Sequence, residues 1–322
     1  MVPPFSITPL VLDDIASIER LIGRIEGLHQ PKPQPHLRKS NRVRTVQGSL
    51  AIEGNTLNLD QVTALMEGKV VIGEKDEIKE VINAINVYDR MSDFDPLSIK
   101  SMLQAHGMMM SELVTTAGSW RQSNVGIMKG SAVSHIAPGA DRVDHLMNEL
   151  FGFLKKNENT HPLIKGCVFH YELEFIHPFE DGNGRIGRFW HSLLLFHYHR
   201  VFEFIPVESL IKEYQDEYYA ALEHSDKAGD STRFIEFILS MIRRALSDFM
   251  DAIQPRPLTA KERLEEAELQ FKAAQFSRKD YINYFKTISS ATSSRDLKTG
   301  VEMGLLDKMG ERAQTVYQYR NK

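Results

Sequence analysis

Apolar residues recur at helical spacing along most of the chain. In segment 12–28, LDDIASIERLIGRIEGL, and in segment 232–253, TRFIEFILSMIRRALSDFMDAI, an apolar residue returns every three or four positions. This spacing gives each helix one apolar face, and such faces are buried by packing helix against helix. Short β-prone pieces are confined to residues 124–137 and 305–320. The pattern therefore predicts a mainly α-helical protein with one hairpin and a small terminal ribbon.

The chain length and the position of its prolines indicate two folding units. A single core stops growing at roughly 250–300 residues, and this chain has 322. The helical pattern stops at IQPRPLTAKE, where two prolines stand close together, so we place a boundary near Pro255. Within the large unit we predict an N-terminal helical region at residues 1–110 and a core at 111–254. Residues 255–322 form the small unit.

The small unit has the element order of a winged helix-turn-helix. Three helical stretches, the first being TAKERLEEAELQF, precede two β-prone pieces that meet at Gly310. The candidate recognition helix, SSATSSRDLKTG, carries Arg295 and Lys298. Residues 259–322 hold 12 Lys and Arg against 9 Asp and Glu, a mild excess where DNA-binding domains usually show a basic stripe. Association with a protein partner, or homo-oligomer formation, is therefore favoured over DNA binding.

Composition and charge narrow the class of protein. The 42% of hydrophobic and 25% of charged residues are typical of a globular protein, and the net charge of −4 argues against a chain-wide nucleic-acid or membrane coat. The one cysteine, Cys167, cannot form an internal disulfide, which is typical of a reducing compartment. The N-terminus does not resemble a signal peptide, and no apolar run approaches the ~20 residues needed to span a bilayer. We expect a soluble cytoplasmic protein with no membrane partner.

The stretch FIHPFEDGNGRIGRFW, residues 175–190, concentrates polar chemistry between apolar flanks. The residues His177-Pro178-Phe179 are expected to end one helix, and the next helix is expected to start near residues 183–185. Glycines permit positive φ, so the backbone N–H groups of residues 181–184 can turn inward. Such a nest at a helix N-terminus binds anions, helped by about half a positive charge from the helix macrodipole. The stretch therefore predicts a phosphate site.

Charged side chains around this nest extend the prediction. Arg185 and Arg188 lie three residues apart on the first turn and add two phosphate-binding forks. Asp181 at the rim would repel phosphates unless it holds a cation, and Mg²⁺ is commonly bound by one carboxylate together with phosphate oxygens. His177 lies beside the nest and is suited to take a proton from an attacking hydroxyl. The alternative is a helix–helix turn with a capping Asp181 and arginines in solvent.

This stretch resembles the signature of the Fic family, His-x-Phe-x-(Asp/Glu)-Gly-Asn-Gly-Arg-x-x-Arg, at every position. The members that it is similar to transfer AMP from ATP to a Ser, Thr or Tyr hydroxyl of a target protein. The resemblance implies that His177 is the base toward that hydroxyl and that Asp181 is the Mg²⁺ ligand. It assigns ATP binding to the other motif residues: Gly182, Asn183, Gly184, Arg185, Ile186, Gly187 and Arg188. The motif leaves the transferred group open, because a few relatives use other donors or transfer phosphate.

Two further segments extend the resemblance to roughly residues 40–250. WRQSNVGIM, with the turn at 129–131, resembles the family's flap, a hairpin that aligns the target by strand pairing. The flap residues expected over the nucleotide are Val125, Gly126, Ile127 and Met128. Ala137-Pro138 stands where the family more often has two prolines, which leaves the details of target docking open. EYYAALEHS resembles the helix that closes the adenine pocket, so Tyr218 and Tyr219 are candidates, or else ordinary core aromatics.

A second motif, SLAIEG, is similar to the family's inhibitory pattern (Ser/Thr)-x-x-x-Glu-(Gly/Asn), with Ser49, Glu53 and Gly54 at the defining positions. Glu53 stands among apolar residues near a helix end, where a carboxylate needs a partner, and Arg188 is the expected one. While paired, Arg188 cannot hold the γ-phosphate, so ATP would bind without its α-phosphate aligned. The resemblance implies an N-terminal inhibitory helix. The alternative is a helix end with an exposed Glu53.

Three other hypotheses are weighed against protein adenylylation. In the reverse reaction, Glu53 would position a water that removes AMP from a modified protein. In a DNA-binding regulator, the Fic-like unit would only sense nucleotide. A zinc site is disfavoured because the histidines follow no usual ligand spacing; they are His170, His177, His191, His197 and His199.

Overall fold

A computed structural model describes residues 3–28, 35–129, 132–156, 159–253, 258–272, 274–286, 288–311 and 315–320. The chain divides into two compact units, Met1–Ile253 and Gln254–Lys322. Helices make up most of the described residues, which confirms the predicted mainly α-helical fold class. The proline-rich connectors at 30–34 and 254–257, and Gly130 and Ser131 of the predicted flap turn, lie outside the described residues.

The large unit is built from helices, with a hairpin in the long connection between the fifth and the sixth of them. Their bounds are α1 Pro9–Gly27, α2 Pro35–Ile52, α3 Leu59–Met66, α4 Lys75–Asp89, α5 Ile99–Met109, α6 Val143–Lys156, α7 Pro162–Ile176, α8 Asn183–Tyr198, α9 Val207–Glu213, α10 Gln215–Ala228 and α11 Thr232–Ile253. One apolar core runs through this unit and contains residues on both sides of position 110, among them Val46, Val87 and Trp190.

Helices α7 and α8 form the centre of the large unit. Both bury residues on every face, so they lie inside the core rather than on its surface. Pro162 stands in the first turn of α7, where its missing N–H costs nothing. Because the two helices are consecutive and packed together, the short loop at 177–182 is held rigidly at one end of the pair.

The hairpin predicted between α5 and α6 is present. Strands β1 (Gly126–Lys129) and β2 (Ala132–Ile136) pair antiparallel, with Gly126 opposite Ile136. The register shifts between Ile127 and Met128, as at a β-bulge. The side chains of residues 127–135 lie outside the described part of the chain, so the predicted cover of a nucleotide by Ile127 and Met128 stays a prediction.

The small unit combines three helices with a three-stranded antiparallel sheet. Its elements are α12 Ala260–Phe271, β3 Phe276–Ser277, α13 Arg278–Phe285, α14 Ser290–Glu302, β4 Leu306–Met309 and β5 Val316–Tyr319, with sheet order β3–β5–β4. A two-stranded ribbon was predicted; β3 escapes a periodicity analysis because it is only two residues long. The apolar core of the small unit includes Leu264, Tyr281 and Leu297. The winged-helix assignment itself stays a prediction.

Among the described helices, none combines the length and the apolar composition that a membrane crossing requires.

Candidate functional site

The loop between α7 and α8 is shaped by its own side chains. His177 caps α7 in the left-handed conformation, with φ 49° and ψ 61°, and its N–H donates to Leu173 O at 2.9 Å. Asn183 is 2% exposed; its Oδ1 accepts from Phe179 N–H and its Nδ2 donates to Phe179 O, each at 2.9 Å. Phe179 is fully buried and stacks on the imidazole of His106 with ring centroids 3.6 Å apart. The loop is therefore anchored beneath while its backbone faces outward.

The backbone of the loop forms a cradle at the N-terminus of α8. Gly182 is the N-cap, with φ 83°, and a Cβ at this position would lie 2.6 Å from the sulfur of Met110. A Cβ on Gly184 would collide with the carboxylate of Glu53 and would approach Arg188 Nη1 at 2.9 Å. Glycine is therefore favoured by conformation at position 182, where φ is positive, and by space at both positions. The first N–H groups of α8 and its macrodipole favour an anion here.

A carboxylate of the chain itself approaches this cradle. Glu53 follows the last residue of α2 and its Oε1 lies 2.6 Å from Arg188 Nη2. Arg188 Nε donates to Ser49 Oγ at 3.2 Å, and Nη2 donates also to Ser49 O at 3.0 Å. Burial lowers the pKa of Arg188, whose side chain is 1% exposed, but Glu53, with smaller contributions from Tyr218 and Glu174, outweighs burial and raises the pKa above its ordinary value. The predicted contact between Glu53 and Arg188, 135 positions apart, is present.

Arg185 is held by different residues from Arg188. Its Nη1 lies 2.5 Å from Glu80 Oε1 of α4, and its Nη2 lies 2.8 Å from Asp181 Oδ1. The side chain is 5% exposed. The two arginines lie on one helical turn but pair with different helices: Arg185 contacts α4, and Arg188 contacts the end of α2. The assignment of Arg185 to a phosphate stays a prediction, and a phosphate there would have to compete with two carboxylates.

Asp181 offers one carboxylate at the rim of the cradle. Its Oδ1 accepts from Gly182 N–H at 2.5 Å and from Arg185, while the side chain is 57% exposed. Within the described residues, no three His, Cys, Asp or Glu side chains are grouped so as to hold a metal ion. A single exposed carboxylate beside an anion cradle fits Mg²⁺, which usually takes one or two carboxylates, substrate phosphates and water. A metal enclosed by protein ligands alone would not fit.

The sequence interpretation missed His106, which supports this loop from α5. Its Nδ1 accepts from Gly118 N–H at 2.9 Å, so its Nε2 carries the proton and donates to Asp181 O at 3.0 Å. Burial lowers the pKa of His106 to about 4, which keeps the ring neutral. A lone histidine in a methionine-rich helix carries no local signal of this role, because the contact forms only in the folded chain.

A buried polar cluster lies behind the cradle, and the sequence interpretation missed its carboxylate, Glu174. The cluster joins Glu174 and His170 of α7 with His191 of α8 and Tyr218 of α10. The Glu174 side chain is 12% exposed, and its Oε1 lies 3.7 Å from His170 Nε2. Burial lowers the pKa of His170 to about 3 and that of His191 well below its ordinary value. These two histidines are therefore neutral residues of the core.

Glu174 should make the stability of the chain depend on pH. Burial raises its pKa to about 7, so the folded state binds more protons than the unfolded state between about pH 4.5 and 7. Stability contributed by the neutral carboxyl is present below about pH 4.5 and is lost as the pH rises through about 7. At pH 8, the free energy of unfolding of Glu174→Gln should therefore exceed that of the parent by on the order of 2–3 kcal/mol. Near pH 4.5 the two free energies should be equal.

Urea unfolding at several pH values measures this difference. The matched control is Glu217→Gln, because Glu217 is an exposed glutamate of α10; its difference from the parent should not vary with pH. A Glu174→Gln variant that is no more stable than the parent at pH 8 would contradict the burial argument.

The two predicted tyrosines occupy different environments. Tyr218 is 1% exposed and its hydroxyl lies 3.2 Å from His170 Nε2, so it belongs to the core. Tyr219 is 37% exposed, and its hydroxyl donates to Ile52 O at 3.4 Å. Through this contact Tyr219, a residue of α10, touches the end of α2 at Ile52, the residue before Glu53. Of the pair, only Tyr219 has substantial exposed surface, and Tyr218 packs against it from the core. Their assignment to an adenine pocket stays a prediction.

Three side chains hold the C-terminus of α2. Lys212 Nζ donates to Ala51 O at 2.9 Å, and Gln215 Nε2 donates to Ile52 O at 2.9 Å, beside the contact from Tyr219. The last carbonyls of a helix lack partners within the helix, so these donors satisfy them and fix where the helix ends. These contacts hold the backbone directly before Glu53 in place, with the Glu53 carboxylate against Arg188.

Comparison with known proteins identifies relatives of this chain. Residues 96–195 match the Fic/DOC family. A crystal structure of a Fic family protein from Desulfovibrio desulfuricans G20 is 36% identical, has a TM-score of 0.79, and covers 100% of this chain and 99% of that one. A solved structure of Fic-1 (residues 134–508) from Caenorhabditis elegans, 23% identical with a TM-score of 0.61, covers 76% of this chain and 74% of that chain and shares the fold.

Curated relatives are similar at a lower level. The protein adenylyltransferase Fic of Culex quinquefasciatus is 29% identical over 244 residues, which is 70% of this chain and 46% of that protein. The chain spans about half the length of the curated relatives it matches. The helical core places His177 and a glycine-rich cradle between its two central helices. The chain belongs to the Fic family.

Proposed function

We propose that the protein transfers AMP from ATP to a hydroxyl side chain of a target protein. The observation that carries the proposal is the position of His177, fixed at the end of α7, directly before an anion cradle at the start of α8. His177 Nδ1 lies 3.3 Å from Glu174 O. A carbonyl can only accept, so Nδ1 carries the proton, and in this tautomer Nε2 has the lone pair that takes a proton. The curated relatives named protein adenylyltransferase support this assignment.

The residues suggest a direct displacement at the α-phosphate. The target hydroxyl approaches the α-phosphorus, and His177 Nε2 takes its proton as the new oxygen–phosphorus bond forms. The bond between the α-phosphorus and the bridging oxygen breaks, and pyrophosphate leaves with that oxygen. The N–H groups at the start of α8 and the guanidinium of Arg188 offset negative charge on the phosphates. Bound at Asp181, Mg²⁺ would neutralise charge on the leaving phosphates.

In the proposed resting state, Glu53 restrains this reaction. Its carboxylate lies against Gly184 and pairs with Arg188, so the guanidinium assigned to the γ-phosphate is already engaged. ATP can then enter only with its outer phosphate displaced, which turns the α-phosphate away from the line of attack. The hydrogen bonds from Lys212 and Gln215 to the end of α2 support the restraint because they keep Glu53 from moving away from Arg188.

The same contact favours a second candidate function. With Glu53 held at the cradle, its carboxylate could orient a water toward a phosphorus–oxygen bond and so release AMP from a modified protein. The two directions make opposite demands on Glu53, because forward transfer needs it displaced and hydrolysis needs it in place. A purified AMP-modified protein incubated with the parent and with Glu53→Gly separates them, since only hydrolysis should be lost in the variant.

The transferred group is identified by the position of the label in ATP. Glu53→Gly is incubated with ATP labelled at the α-phosphate or at the γ-phosphate, alone and with cell extract. AMP transfer predicts retention of the α-label alone and a mass increase of one AMP on the modified protein. Retention of the γ-label would indicate phosphate transfer instead and would overturn the proposal.

Asp181 and its neighbour Glu180 provide a matched test of the metal. Loss of a group that only supports a metal ligand lowers activity by up to roughly 100-fold. Asp181→Ala removes the proposed ligand itself, so it should lower AMP transfer by at least as much and should remove the dependence of transfer on Mg²⁺. Glu180 is exposed and accepts from Thr116 Oγ1 at 2.8 Å, so Glu180→Ala should stay close to the parent. Both are measured by titrating Mg²⁺ at fixed ATP. A larger loss in Glu180→Ala would show that the metal assignment is wrong.

We propose that the small unit binds a protein partner or a second copy of the chain. Buried Asp296 of its predicted recognition helix pairs with Arg263 at 2.6 Å, and the +3 charge of residues 259–322 is weak for DNA. The rival role, a DNA-binding regulator, requires an affinity for DNA that falls steeply with salt and depends on sequence. Titration of duplex DNA at two salt concentrations, beside light scattering of the chain alone, decides between them.

A further inference from the structure

Arg121 is a fully buried cation at the meeting point of the flap and the loop that carries His177. Its residue surface is 1% exposed. In the part of the chain that the structure describes, the guanidinium donates only to backbone carbonyls. Burial lowers the pKa of the guanidinium below its ordinary value, yet arginines in proteins stay protonated at neutral pH. A buried charge that is compensated by carbonyls alone indicates that those carbonyls are held where the guanidinium needs them.

Two of the acceptors belong to the end of α7. Arg121 Nε donates to His177 O at 2.8 Å, and Nη2 donates to Ile176 O at 3.3 Å. Its own backbone N–H donates to Pro178 O at 2.9 Å. Three consecutive carbonyls around His177 are thus bound by one residue. The positive charge also stands at the C-terminus of α7, where the helix macrodipole favours it.

The other two acceptors belong to the two ends of the flap. Nη1 donates to Ser123 O at 2.7 Å, just before β1, and Nη2 donates to Pro138 O, just after β2. The planar fork of arginine reaches carbonyls in several directions, whereas the single ammonium of lysine cannot span the same set. Arg121 therefore joins both flap ends to the backbone of His177.

We infer that Arg121 is a positioning residue that sets the distance between the hydroxyl-presenting flap and His177. The inference rests on the proposed function and on the predicted role of the flap, which is to align the target chain so that its hydroxyl reaches that histidine. Arg121 touches neither ATP nor the target in this scheme. Its loss should therefore lower the rate of transfer while leaving the binding of Mg·ATP unchanged, because misplacement of reacting groups by about 1 Å can cost on the order of 100-fold.

The test uses Arg121→Lys and Arg121→Met in the full chain carrying Glu53→Gly. We expect the kcat for self-modification to fall about 10- to 100-fold in Arg121→Met, with a smaller loss in Arg121→Lys. The KM for Mg·ATP should stay within about twofold. The matched control is Arg142→Met, because Arg142 is an exposed arginine shortly after the flap; it should behave as the parent. A fall in kcat that is matched by a rise in KM for ATP would overturn the inference.

Amide hydrogen exchange provides a readout that does not depend on catalysis. In Arg121→Met, exchange should accelerate at residues 123–126 and 176–179 and stay unchanged in the middle of α7 and in α11. A uniform acceleration of exchange across the large unit would show that Arg121 only stabilises the fold. No acceleration at the two segments would show that Arg121 does not hold them. Either result would overturn the inference. If Glu53→Gly itself transfers no AMP, the proposed function fails, and exchange at the two segments still decides the role of Arg121.

Discussion

Glu53→Gly should transfer AMP on the order of 10- to 100-fold faster than the parent. The ion pair with Arg188 spans 2.6 Å, and the Glu53 side chain is 34% exposed, so water screens it in part. If the pair favours the state with Glu53 at the cradle by about 1.4–2.7 kcal/mol, roughly 90–99% of molecules are in that state, and removing the pair raises the ratio of open to closed cradles about 10- to 100-fold. The measurement is the initial rate of α-labelled AMP incorporation into the chain itself and into extract proteins.

The stability of this variant should depend on nucleotide more than that of the parent. Removing one partner of a fully buried ion pair costs about 3–5 kcal/mol, and the exposure of Glu53 reduces this to about 1.4–2.7 kcal/mol. In Glu53→Gly the guanidinium of Arg188 faces an open cradle that Mg·ATP can fill, so nucleotide binding should recover most of that loss. Thermal unfolding with and without Mg·ATP should therefore show a larger shift in the variant.

Two variants serve as controls for the role of the charge. Glu53→Gln keeps the size of the side chain and a hydrogen bond to Arg188 but removes the negative charge, so its rate should fall between parent and Glu53→Gly. Arg188→Ala should not be activated, because it loses the group assigned to the γ-phosphate together with the restraint. Equal rates in parent and Glu53→Gly, on self-modification and on extract alike, would contradict the inhibitory assignment.

The contact between Glu53 and Arg188 could be predicted because both ends carry their own signals. A carboxylate among apolar residues at a helix end and an arginine on the first turn after a glycine nest each need a partner. The α7–α8 loop was predictable for the same reason, since φ 83° at Gly182 and the hydrogen bonds of Asn183 to the backbone of Phe179 are local consequences of the sequence. Where the cause of a structure lies within a few residues, or in a strong unpaired charge, the sequence carries enough information.

Arg121, His106 and Glu174 could not be predicted because their roles are set by distant backbone. Arg121 acts on carbonyls about 55 positions away, and backbone carbonyls have no side-chain identity to recognise in a sequence. Glu174 lies at helical spacing among apolar residues, where a solvated glutamate is the ordinary expectation; its burial follows from packing against Gly187 of α8. The sequence likewise offers no reason to separate Tyr218, in the core, from Tyr219, whose hydroxyl contacts Ile52 O at the end of α2.

His177→Ala should abolish AMP transfer while leaving the cradle able to bind ATP. The imidazole stands beside the cradle, whereas the groups assigned to phosphate are backbone N–H groups of residues 182–184 and Arg188. Loss of a general base lowers a rate by about 10²–10⁴-fold. In the Glu53→Gly background, we therefore expect a loss of that size in AMP incorporation, with the calorimetric affinity for Mg·ATP within about threefold.

The left-handed backbone at His177 decides how that result should be controlled. With φ 49°, position 177 is strained for alanine as well as for histidine, so His177→Ala could shift the loop as well as remove the base. His177→Asn separates the two effects, because asparagine tolerates this conformation well but cannot act as a base at neutral pH. Both variants should lose transfer alike, while His145→Ala, which removes an exposed histidine of α6, should keep it. Transfer by His177→Asn within tenfold of its background would place the base elsewhere, whereas loss in both with intact ATP binding assigns the proton to this one ring.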